Sequence, residues 1–67
     1  MASTPLYPDV TVELVGQDGN AFAILGAVSK ALRRAGYRDA ADDFQAEAMQ
    51  GDYDHLLATC LRYVEVA

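Results

Sequence analysis

This chain has no tryptophan, one cysteine, one histidine and two prolines among its 67 residues. A single cysteine excludes an intramolecular disulfide framework, and one cysteine plus one histidine cannot supply the four ligands of a structural zinc site. No run approaches the roughly 18 apolar residues of a membrane-spanning helix. The opening "MASTPLYPD" also lacks the basic flank and apolar centre of a signal peptide. Cations are scarce: five Lys and Arg face ten Asp and Glu, for a net charge of −5. Nonspecific nucleic-acid binding draws on cationic side chains that displace counterions, so this balance disfavours it. A cytoplasmic protein is the expectation, with no membrane partner and nucleic acid disfavoured.

What is present is apolar. Hydrophobic residues make up 52% of the chain, too many for a disordered segment. A chain this short removes only about 60% of its unfolded surface from water. Some apolar surface is therefore expected outside the core, which favours self-association or a partner. Both prolines lie within the first eight residues, so residues 1–8 read as a loose arm and 9–67 as one small domain. In "DVTVELV", Val10, Val12 and Leu14 alternate with Thr11 and Glu13, the period of a strand with one buried face. "GQDGN" then breaks the pattern, and Asp18 or Asn20 is suited to cap a following helix.

From Ala21 to Ala35 the spacing is helical, with Ala21, Leu25, Val28 and Leu32 on one face and Ile24 and Ala31 beside it. Gly36 stands where a left-handed terminating residue belongs, and Tyr37 is placed to touch Leu32. A second helix is predicted over Asp39 to Gln50, with Ala40, Ala41, Phe44 and Ala48 inward. A third runs from the cap residue Asp52 to Cys60 or beyond. "RYVEVA" either extends it or alternates as a strand. The strand is preferred, because the first strand otherwise leaves its backbone groups unpaired. The predicted fold is α+β, in the order β-α-α-α-β, with two terminal strands paired and packed against three short helices. The alternative is a mainly α chain with one N-terminal strand.

"GDYDHLLATCLRY" gathers two aspartates, the histidine, the cysteine and two tyrosines within thirteen residues. On a helix, however, His55 lies about 140° around and about 7.5 Å along the axis from Cys60. The two cannot act as a thiolate–imidazole pair or share a metal ion. Tyr53, Leu56, Leu57 and Cys60 fall within one apolar arc, with Asp54, His55, Ala58, Thr59 and Arg62 on the opposite side. Cys60 is therefore expected in the core and His55 exposed in the first turn, near Asp52 and Asp54. Lys30, Arg33, Arg34 and Arg38 suggest nucleic-acid binding. Yet Asp39, Asp42 and Asp43 follow the turn at once, and cations ending one helix with acids beginning the next suit both helix dipoles. The same acids lack the alternating oxygen ligands and central glycine of a calcium loop. "GQDGN" lacks the lysine and spacing of a phosphate loop. No catalytic set, cofactor site or metal site is predicted.

One feature of the first helix is less easily explained. Phe22 lies off the main apolar stripe, beside Gly26 and on the side of Ser29 and Arg33. Mid-helix glycine costs about 1 kcal/mol relative to alanine. A smooth surface beside an aromatic suits close approach by another element, either within the chain, such as the third helix, or from a partner or a second copy anchored on the aromatic. Phe22, Gly26, Ser29 and Arg33 are therefore the candidate interface.

The blocks "DGNAFAILG", "ALRRAG" and "GDYDHLL" resemble small uncharacterised proteins of bacteria and their phages, over about Val10 to Val66. The resemblance implies a cytosolic accessory protein and assigns no residue a role. The leading expectation is a non-enzymatic protein-interaction module, self-associating as a dimer. The alternatives are a phage-type inhibitor of a basic, nucleic-acid-binding host protein, and a small nucleic-acid-binding regulator.

Overall fold

The computed structural model describes residues 4–13 and 21–67. In chain order they form β1 (Tyr7–Val12), α1 (Ala21–Arg34), α2 (Arg38–Ala48), α3 (Tyr53–Tyr63) and β2 (Val64–Val66). β1 and β2 pair in a two-stranded parallel sheet. The small α+β arrangement expected from the sequence is thus present. Parallel pairing needs a long crossover rather than a hairpin, and the three intervening helices supply it.

The first strand starts earlier than its alternation suggests. Tyr7 and Pro8, placed by sequence in the arm, belong to β1, and the Leu6 N–H donates to the Arg62 carbonyl at 2.8 Å. Pro8 is tolerated because β1 is an edge strand, where a missing donor costs least. The register runs Tyr7↔Val64, then Thr11↔Glu65 and Val12↔Val66, with an irregularity between Tyr7 and Thr11. The Ala67 N–H donates to the Val12 carbonyl at 3.0 Å. Glu13 is outside the strand. Leu14, Val15 and the "GQDGN" turn with its candidate caps lie outside the described residues.

In α1 the buried line is Ile24, Val28 and Leu32, joined by Ser29. Leu25 is half-buried and Ala21 exposed, so the inward face is turned slightly from the predicted one. The helix ends as the sequence indicates. Gly36 has φ of 93°, its N–H donates to the Arg33 carbonyl at 3.0 Å, and Tyr37 N–H reaches the Leu32 carbonyl at 2.8 Å. These are the two bonds of a Schellman termination, which only glycine enters without strain.

Ala40, Ala41, Phe44 and Ala48 of α2 are buried as predicted. Asp52 caps α3 by accepting the His55 N–H at 3.0 Å. Leu56, Cys60 and Val64 then reach the common core with Val10, Val12, Ile24, Val28, Leu32 and Phe44. Thr59 is buried rather than outward, and its hydroxyl is satisfied by donating to the His55 carbonyl at 2.7 Å. Tyr53, predicted inward, is 38% exposed. Phe44 meets Tyr63 edge-on at 5.5 Å, and Tyr7 packs on Tyr63 at 6.2 Å and on Tyr37 at 4.6 Å. These rings join the sheet to the α1–α2 turn.

Candidate functional site

The stripe Phe22, Gly26, Ser29, Arg33 faces α2, and α2 covers only half of it. Arg33 Nη2 donates to Asp42 Oδ1 at 2.9 Å. One turn earlier, Gln45 Nε2 donates to the Ser29 hydroxyl at 3.0 Å. Ser29 is only 3% exposed, so its place in the candidate interface is corrected: this chain's own second helix already occupies it. Arg33 stays exposed, but its guanidinium is engaged. That pair realises the expected meeting of α1 cations with α2 acids, though an exposed ion pair adds at most about 1 kcal/mol.

The two contacts show α1 and α2 running antiparallel, which places Phe22 opposite residues 52 and 53. α2 does not extend that far. It has 11 residues against the 14 of α1, a difference of about 4.5 Å in length. The chain turns away through Met49 and Gly51 before α3 begins. Phe22 is consequently 81% exposed, and a Cβ added at Gly26 would find no neighbouring element within 4 Å among the described residues.

The missing helical turn leaves a cleft of about 250 Å³. Leu25 and Leu56 lie within it. Ala21 and Phe22 form one wall, and Met49, Gly51, Asp52 and Tyr53 form the other. Met49 is 68% exposed. Leu25, Met49 and Tyr53 were not recognised as site residues from the sequence. A methionine just past the last inward alanine of α2, two residues before a glycine, was the available signal.

The far wall is held in place by His55. Its Nε2–H donates to the Glu47 carbonyl at 2.9 Å and to Glu47 Oε2 at 3.1 Å; both partners are acceptors, so this nitrogen carries the proton. His55 is therefore half-buried and tied to the end of α2, rather than exposed beside Asp52 and Asp54. Gly51 makes the approach possible, since a Cβ there would lie 2.6 Å from the Cβ of His55.

The remaining groups show no convergent chemistry. Cys60 is fully buried, and burial pushes its thiol up to about 11, the reverse of an activated nucleophile. Tyr37 donates to Asp9 Oδ2 at 2.8 Å; that bond, with burial second, raises its pKa. Among the described residues, no three His, Cys, Asp or Glu side chains come together to hold a metal ion. No helix among them is long and apolar enough to cross a membrane. A second hollow, along β2, is lined by Pro5, Leu61, Arg62, Val64, Glu65 and Val66. Its charged side chains make it less apolar than the Phe22 cleft. No family model, curated protein or solved structure matches this chain.

Proposed function

We propose that this protein is a non-enzymatic, cytoplasmic protein-interaction module of a bacterial or phage setting, working through the cleft beside Phe22 and self-associating there weakly. The observation that carries the reading is Phe22 itself: a phenylalanine 81% exposed at the wall of an apolar cleft. Large aromatics in such positions serve as anchors at protein interfaces. Area sets the strength. If a large side chain spans about 200 Å², Phe22, Met49 and Tyr53 leave on the order of 400 Å² open. A stable interface removes about 800 Å² from each partner, so a dimer built on this patch forms only at high concentration.

Sedimentation equilibrium over a wide concentration range tests the reading. A weak dimer is expected for the wild type and a monomer for Phe22→Ser. A wild type that remains monomeric at high micromolar concentration removes self-association from the reading. A dimer indifferent to Phe22→Ser moves the contact elsewhere, with the β2 edge as the next candidate.

The acidic groups around the cleft favour a second reading, a phage-type inhibitor that covers a basic surface of a host nucleic-acid-binding protein. Direct nucleic-acid binding draws no support from Arg33, which is already paired with Asp42.

A further inference from the structure

We infer that the occupant this cleft fits best is a basic amphipathic helix of another protein, not a second copy of this chain. The inference rests on the interaction reading above and names the partner chemistry of the same site.

Shape argues for a helix. The cleft lies where α2 would continue along α1 for another turn, between the first turns of α1 and α3. A helical segment there would extend a layer already made of helices. Apolar residues spaced i, i+3, i+4 and i+7 would then descend on Leu25 and Leu56, the usual mode of a helix in a groove.

Charge decides between occupants. Asp52 lines the cleft, Asp54 follows in the same first turn of α3, and Glu47 ends at the His55 contact behind it. No cation lines it. Lys30 is about 12 Å along α1 from Phe22, and Arg62 is about 15 Å along α3 from Asp52. Arg33, Arg34 and Arg38 gather around the opposite end of α1, where it turns into α2. A second copy docking cleft to cleft would bring the Asp52 of one chain toward that of the other, with the exposed Asp54 two residues on, between chains that each carry −5. Like charges across an interface suppress that pairing, whereas lysine or arginine flanking the apolar anchors is attracted. The cleft's weak self-association is thus what a basic segment displaces.

The test uses the full chain and two synthetic amphipathic helical peptides with identical apolar anchors, one bearing lysines at its polar positions and the other glutamates. Fluorescence anisotropy is expected to show the lysine peptide binding at least about tenfold more tightly, an advantage that shrinks as salt rises from about 50 to about 500 mM. Phe22→Ser should abolish binding. Asp54→Lys, an exposed change, should cut the preference several-fold, as should Asp52→Asn, which keeps a capping oxygen. Equal affinity for both peptides overturns the basic partner while leaving the cleft as a docking site. A dimer that survives saturation with the lysine peptide overturns it in favour of a second copy. No binding of either peptide, with no effect of Phe22→Ser on sedimentation, removes the cleft reading as well.

Discussion

The two halves of the α2-facing side of α1 differ as sharply as any two regions of this molecule. At the C-terminal half, Ser29 is sealed under Gln45, and Arg33 is paired with Asp42. At the N-terminal half, Phe22 is exposed beyond the end of α2, and a Cβ added at Gly26 would have no neighbouring element within 4 Å among the described residues. The four side chains lie close together in angle around the helix, so periodicity treats them alike. What separates them is where the opposing helix stops. An exposed aromatic here is therefore a consequence of helix length and not of helix phase, and the cleft is the end of an interface that the chain began and did not finish.

That contrast can be broken first at its sealed side. Phe44 is fully buried on α2, against Tyr63, so Phe44→Ala should cost about 3–5 kcal/mol in chemical denaturation. A loss below about 1 kcal/mol would show that α2 is not the element that closes this face.

Alkaline pH should loosen the same core. The Cys60 thiol is raised by burial from 9.0 to about 11, so the folded state keeps a proton that the unfolded state releases. The contribution is complete below about pH 9 and is lost as pH rises toward 11, at most about 2–3 kcal/mol. The raised phenols of Tyr37 and Tyr63 act in the same direction at still higher pH. Denaturation midpoints measured from pH 7 to pH 11 should hold to about pH 9 and fall from there toward 11, and thiol reagents should label Cys60 slowly until denaturant is added. Rapid labelling of the native protein would contradict its burial.

At the border between the two regions, His55→Ala should cost about 1–2 kcal/mol, because the ring joins α3 to the end of α2 through both Glu47 acceptors. A change within about 0.5 kcal/mol, as for an ordinary surface site, would mean that the cleft wall is held by the Asp52 cap alone.

The smallest effect on stability belongs to the open side. Phe22→Ser should alter the monomer's unfolding free energy by no more than about 0.5 kcal/mol, while changing association. If it instead destabilises the monomer by several kcal/mol, Phe22 is core and the contrast fails.

Much of this was legible in the residues. The Gly36 termination, the Ala40–Ala41–Phe44–Ala48 face and the Asp52 cap depend on neighbours within a turn or two, so spacing reveals them. "VEV" was readable as β2 only through a long-range need, a partner for the first strand. Harder to see was that Tyr7 begins β1, since an edge position excuses Pro8 and no local rule announces an edge. Thr59 and His55 were misplaced for a related reason: each is satisfied by a specific acceptor, the His55 carbonyl and Glu47, and a polar side chain with its acceptor in place can be buried where periodicity expects water.

By itself, then, the sequence determined the three helices and their inward faces to within a residue's rotation. These follow from interactions over a few residues. Which part of the Phe22–Arg33 stripe is buried was decided only in the tertiary structure. It depends on where α2 ends relative to α1 once Leu32, Phe44 and Ala48 share a core, and on Gly51 letting His55 close the turn. Such a relation joins residues 22 and 52, thirty positions apart, and no local pattern in either segment contains it.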